Sequence, residues 1–253
     1  MLARRKLMAG IAGLPLATIL ADPRLAALAA EATEAVSITT KGVQTVSGAI
    51  ALPAAKPAPA LVLIHEWWGL NDEIKTMAAE FAKEGYVALA ADLYAGSVAT
   101  SPQEAQALMQ SVDSEKATDT LVSWVEWLRA NPAVNGKVAT VGWCFGGGWA
   151  INAATATPVN ATVIYYGRLP QSADEVKTVS GPVLGHFGEK DKFINREMVT
   201  GFEKAMKEAG KPLTVHWYEA DHGFANPTGA RYDKQDAQVA WERTRAFLKD
   251  ALG

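Results

Sequence analysis

Apolar positions along this chain follow two rhythms that take turns. "PALVLIHEWWG" (59–69) is a continuous apolar run with β-branched residues, the pattern of a strand buried on both faces. "DEIKTMAAEFAKEG" (72–85) follows, with Ile74, Met77, Ala78 and Phe81 at helical spacing and Gly85 placed to end the helix. "YVALAADLY" (86–94) is strand-like again. "SPQE" at 101–104 has the form of a capping box with proline at the first helical position, opening a helical region to about Ala130. Beyond it, "KVATVGW", "ATVIYYG", "PVLGHFGEKD" and "LTVHWYEADHG" read as strands with their exit loops. "GGWAINAATAT", "NREMVTGFEKAMKEAG" and "DAQVAWERTRAFLKDAL" read as helices. Upstream, "VSITTKGVQTVSGAIALPA" (36–54) alternates weakly around Lys41-Gly42, which suits an edge hairpin. Strand and helix in alternation imply one α/β domain over residues 31–253, a mostly parallel sheet with helices on both faces. In such sheets functional groups gather beyond the C-terminal strand ends.

The first thirty residues differ. Arg4, Arg5 and Lys6 precede an apolar stretch broken by Gly13, Pro15 and Pro23, and the stretch ends in Ala27-Leu28-Ala29. This layout predicts a cleaved export signal of the twin-arginine kind over residues 1–30, with cleavage near Ala29 and a periplasmic or secreted product. The rest has no long apolar run, so no membrane association is expected after cleavage. A formal charge of −3 without a basic stripe argues against a nucleic-acid partner. The chain is expected to be a monomer.

The single cysteine stands in "GWCFGG" (142–147). Gly142 and Gly146 flank Cys144 as G-x-C-x-G, the spacing a sharp strand-to-helix elbow needs to carry a nucleophile. The N-terminus of the following helix points partial positive charge at the thiol and is expected to favour the thiolate. Asp191 and His222 fall at the next strand exits, so the order is nucleophile, acid, histidine, that of an α/β-hydrolase triad. His222 would move the proton and Asp191 would orient the ring. His186 and His216 lie inside strands and His65 ends one; all three read as structural. No cluster has metal-ligand spacing and no glycine-rich loop cradles phosphate, so neither a metal nor a cofactor is expected.

"HEWWGLND", "ADLYAG", "GWCFGGGWA", "YYG", "GEKD" and "ADHGFANP" together resemble the dienelactone hydrolase family from about residue 36 onward. The resemblance implies an α/β-hydrolase fold and an ester- or lactone-cleaving hydrolase. It gives Glu66 the task of taking the thiol proton when substrate binds, and it places the oxyanion on the backbone N–H groups of Trp67 and Phe145. The family's carboxylate-binding arginines fall where this chain has Gly96 and Asn226. Arg231 and Arg168 are the nearby cations, neither matching residue by residue, and Trp68, Tyr94, Tyr166 and Phe224 are candidates to line a pocket. The missing arginines leave a broader carboxylesterase for substrates without a carboxylate as the alternative. A non-catalytic binding protein would not need all of Glu66, Cys144, Asp191 and His222. A redox role would need an outside thiol, because no second cysteine is present.

Overall fold

The computed structural model describes residues 14–253. Arg4, Arg5, Lys6 and Gly13 of the expected export signal lie outside the described residues. The elements are α1 (Leu16–Ala21), α2 (Pro23–Ala30), β1 (Glu34–Thr39), β2 (Thr45–Ala51), β3 (Ala58–Ile64), α3 (Asp72–Lys83), β4 (Val87–Ala91), α4 (Pro102–Ser111), α5 (Ser114–Ala130) and β5 (Val134–Trp143). They continue with α6 (Phe145–Ala156), β6 (Ala161–Tyr165), α7 (Ala173–Val176), β7 (Val183–Gly188), α8 (Arg196–Glu208), β8 (Leu213–Tyr218) and α9 (Lys234–Leu252). One eight-stranded sheet runs in the order β1-β2-β4-β3-β5-β6-β7-β8. The β1–β2 hairpin forms the antiparallel edge and joins β4 antiparallel. All pairings from β4 to β8 are parallel.

The continuous apolar run of β3 is explained by its position between β4 and β5. Successive side chains point to opposite faces, and both faces are covered. Val62 and Ile64 join a core with Leu121 and Trp124 of α5 and Phe202 of α8. Leu61 and Leu63 join the other core, with Ile74, Met77 and Phe81 of α3 and Leu248 and Leu252 of α9. Each such side chain contributes about 1.5–3 kcal/mol by leaving water, so the two layers clamp the central strands rigidly.

The helical region from Pro102 divides in two. Val112 leaves the helix, and Asp113 caps a second one by accepting the Glu115 and Lys116 N–H groups. At the first start, Ser101 accepts the Glu104 N–H, but the Glu104 carboxylate reaches back to Thr100 N–H and hydroxyl, both at 2.8 Å. Residues 16–30, expected to end an export signal, form two short helices. Ile19 and Leu20 are buried, and Thr76 of α3 donates to the Ala26 carbonyl at 2.9 Å. Asp22 caps α2 and Pro23 opens it, so the residues that break a membrane span here make a helical corner. Among the described residues no helix is long and apolar enough to cross a membrane.

Candidate active site

Cys144 follows β5 directly and forms the cap of α6, with φ 52° and ψ −116°. A non-glycine residue holds that conformation only where its surroundings enforce it. Here the Tyr165 carbonyl of β6 accepts its N–H at 3.0 Å. The flanking glycines are required by contact. A Cβ on Gly142 would overlap the Gly146 carbonyl, and one on Gly146 would overlap the Ile64 and His65 carbonyls of the neighbouring strand exit.

The loops after β7 and β8 are stitched together beside the elbow. Glu189 N–H donates to the Tyr218 carbonyl at 2.8 Å and Lys190 N–H to the Ala220 carbonyl at 3.0 Å. This brings Asp191 to His222, with Asp191 Oδ2 2.7 Å from His222 Nδ1. The other carboxylate oxygen accepts Phe193 N–H at 2.7 Å and Ile194 N–H at 2.9 Å. Burial works against the charge on Asp191, yet the His222 bond and these N–H donors hold its carboxyl below the ordinary range. Asp191 accepts the hydrogen bond from His222 Nδ1–H, and the ring so oriented sets Nε2 toward Cys144 Sγ, 3.1 Å away.

The thiol itself departs from expectation. Burial, then the charge of Glu66, push it up to about 12, although the Phe145 N–H partly offsets them. Desolvation outweighs the helix N-terminus and favours the neutral thiol.

Glu66 lies just past β3, buried. Its Oε2 accepts from Asn226 Nδ2 at 2.7 Å and its Oε1 from the Tyr166 hydroxyl at 3.3 Å. Burial raises its carboxyl above the ordinary range, while Asn226, the charges of His222 and Arg231, and Tyr166 pull the other way. The Trp67 N–H has no hydrogen-bond partner among the described residues, and the Phe145 N–H points at the cysteine sulfur. Of the two expected oxyanion donors, the Phe145 N–H thus faces the sulfur and the Trp67 N–H is unengaged.

The remaining candidates separate. Tyr166 sits at φ 37° with its ring 5.2 Å from that of His222. Tyr94 packs 5.6 Å from Phe145, and its buried hydroxyl has no partner. Trp68 is half-buried, edge-on to Trp67. Phe224 is fully buried between Tyr166 and Tyr218 and belongs to the core. Arg231 is exposed, and its charge acts on Glu66 and Cys144. Arg168 lies against Gly148 of α6, and its charge acts on Glu175. His65, His186 and His216 take structural places. His65 accepts from Leu93 N–H, and His186 lies between the Tyr218 and Thr244 hydroxyls with the ring of His216 stacked 5.9 Å away.

Sequence reasoning passed over three residues. Phe193, 65% exposed, covers the edge of His222 at 5.4 Å and lies under Arg231. Thr228 and Glu73 reach Asn226 and Glu66 from the outside. Phe193 and Thr228 follow Asp191 and His222 closely in sequence, and that proximity was the available signal. Glu73 read as an ordinary acid in a first helical turn. Among the described residues no cluster of side chains could hold a metal ion.

A cysteine elbow, a histidine and an aspartate at the ends of a doubly covered parallel sheet define an α/β-hydrolase. The chain belongs to the dienelactone hydrolase family, whose model matches residues 46–252. It is 34% identical to carboxymethylenebutenolidase of Pseudomonas putida, over 85% of this chain and 96% of that one. It is 31% identical to a putative carboxymethylenebutenolidase of Saccharolobus solfataricus, over 76% and 90%. A similar solved structure is a dienelactone hydrolase-like promiscuous phosphotriesterase from metagenomic libraries. It shares 25% identity and a TM-score of 0.79 over 88% of this chain and all of that one. The protein is thus a hydrolase of this family.

Proposed function

We propose that the protein hydrolyses carboxylic esters and lactones through a covalent thioester on Cys144. The observation that carries this is the Cys144–His222–Asp191 chain, at 3.1 and 2.7 Å, on an elbow in the left-handed region. Glu66 takes the thiol proton when substrate displaces its partners, and the sulfur attacks the carbonyl carbon. The carbonyl electron pair moves to oxygen, where the Trp67 and Phe145 N–H groups hold it. Collapse expels the alkoxide, which receives the proton taken from the thiol. Water then gives its proton to His222 and attacks the thioester, Asp191 stabilises the charged ring, and the departing Cys144 sulfur takes that proton back from His222. A thiolate on this scaffold suits activated esters and lactones better than amides.

The substrate favoured is uncharged. Asn226 takes the place of one family arginine and is engaged with Glu66, and Gly96 offers no side chain at the other. Arg231 is exposed, and its charge acts on Glu66 and Cys144. The test is burst hydrolysis of p-nitrophenyl acetate with and without iodoacetamide, followed by mass mapping of the acyl adduct. Silence of the alkylated enzyme and an adduct on Cys144 support the reading; an adduct elsewhere overturns it. A clear preference for a carboxylate-bearing lactone over its neutral analogue would overturn the substrate choice and point to Arg231. The export signal is part of the same proposal, and processing near Ala29 then requires α2 to leave α3, because Ala29 is buried.

A further inference from the structure

His65 follows β3 directly and is fully buried. Both nitrogens of its ring meet backbone groups whose roles are fixed. Leu93 N–H points at Nε2, 3.2 Å away, and a backbone N–H can only donate. The Glu66 carbonyl lies 2.5 Å from Nδ1, and a carbonyl can only accept. Nε2 therefore presents its lone pair and Nδ1 carries the proton. A second ring proton would face Leu93 N–H donor to donor, so the ring is neutral. Burial, which holds this imidazole below its ordinary range, agrees with that state.

The carbonyl held in this way belongs to the peptide unit that ends in the Trp67 N–H. That unit is trans and planar, so its C=O and N–H point in opposite directions and turn together. The carbonyl accepts from His65 Nδ1 and, at 3.4 Å, from Gly69 N–H across the turn. Among the described residues no other side chain hydrogen-bonds it, and the Trp67 N–H at the far end is unengaged. An amide whose oxygen already accepts a bond is polarised, and its N–H donates more strongly. The same ring is stacked on that of Phe145, 5.8 Å away, and Phe145 carries the other expected oxyanion donor. Tyr94 packs edge-on against the imidazole at 4.7 Å. The backbone leaves no slack either, since a Cβ on Gly146 would overlap the His65 carbonyl. One imidazole thus joins the exits of β3 and β4 to the elbow.

We propose that His65 is a positioning residue for the oxyanion site. Through Nδ1–H it fixes the Glu66–Trp67 peptide, so that the Trp67 N–H stays free and already aimed when the oxygen of the reacting carbonyl arrives. It acts through that peptide and forms no hydrogen bond with Cys144 or His222. This rests on the Trp67 N–H serving as an oxyanion donor to a carbonyl attacked by Cys144, as proposed above. Charge gathers on that oxygen only in the transition state, so the effect falls on the acylation rate and leaves KM nearly unchanged.

The experiment uses the full chain with 13C at the glutamate carbonyl and 15N in tryptophan. Only Trp67 and Trp127 follow a glutamate, so NMR selects their two amides, and Trp127 in α5 is the reference. Trifluoroacetone is the probe: the Cys144 sulfur adds to its carbonyl carbon, and the carbonyl electron pair moves to an oxygen placed as the oxyanion is. In wild type the Trp67 amide proton is expected to move downfield on addition, with Trp127 unmoved. His65→Leu removes the donor. There the shift is expected to shrink, and acylation by p-nitrophenyl acetate to slow about ten- to a hundredfold, less than deleting an oxyanion donor costs. His65→Asn, whose NH2 reaches the place of Nδ1, is expected to recover both. A Trp67 amide that moves equally in wild type and His65→Leu overturns this proposal alone. One that stays put in wild type while the adduct forms on Cys144 overturns the oxyanion reading and this proposal with it. If His65→Leu does not fold, His65→Asn decides, because it keeps the donor to Glu66 and loses the acceptor for Leu93. A Trp67 shift retained there supports the proposal, and its loss overturns it.

Discussion

Replacing Asn226 by alanine tests the polar arrangement around Glu66. The substitution removes the 2.7 Å donor to a buried carboxylate and leaves only the Tyr166 hydroxyl at 3.3 Å. A hydrogen bond to a charged group contributes about 1.5–3 kcal/mol, against about 1 kcal/mol between neutral partners. Without Asn226, burial acts on Glu66 less opposed, and its carboxyl rises further above the ordinary range. The sign then follows from linkage. A carboxyl whose folded pKa is raised loses stability as pH climbs from its unfolded value through its folded value. In acid, Glu66 is neutral in both proteins and the variant lacks only a neutral hydrogen bond, a penalty of about 1 kcal/mol. Once Glu66 is ionised the wild type holds a charged bond, and the penalty grows to about 2–3 kcal/mol. Urea denaturation followed by the fluorescence of the eight tryptophans, in acidic and in neutral buffer, measures both values. A penalty equal at the two pH values, or a variant more stable than wild type, would refute an amide that donates to an ionised Glu66.

Cys144→Ala is expected to lower ester turnover on the order of a thousandfold or more, checked by steady-state rates and by loss of the acyl adduct. Tyr94→Phe removes a buried hydroxyl without a partner and is expected to raise the unfolding free energy by about 1 kcal/mol; destabilisation in urea would show that the hydroxyl is bonded. Gly142→Ala places a methyl against the Gly146 carbonyl, and an expected loss of about 3 kcal/mol or of the folded state is read from the same denaturation curve. Expressed in a bacterium with its own N-terminus, the protein is expected in the periplasm shortened by about thirty residues, the length of such a signal. Intact mass of each cell fraction checks this.

The alternation of strand and helix was legible because each segment carries its own period. β3 and α3 differ within a few residues in how often an apolar side chain returns, and burial on two faces or one follows from that. The elbow was legible for a similar reason. Gly142, Cys144 and Gly146 are neighbours, and the close approach they allow is a local matter of backbone volume. The order of Cys144, Asp191 and His222 could be read because each closes a strand whose C-terminal end lies on one side of a parallel sheet. The break at Asp113 and the helical corner at Asp22-Pro23 were less legible, because packing decides whether a helical pattern continues.

The state of the thiol lay outside what sequence determines. A helix N-terminus can be read from "CFGGG", but the burial that overrides it is made by Tyr94, Tyr166 and the loops folded over the elbow. Asn226 lies 160 residues from Glu66, and in sequence it registered only as a missing arginine. Folding turned it into the donor that holds a carboxylate, with Thr228 orienting it and Glu73 closing the chain. Charge and proton position depend on distance and on water excluded from a space, and several segments together enclose that space. No single stretch contains it, so only the tertiary structure could decide the surroundings of the thiol and of Glu66.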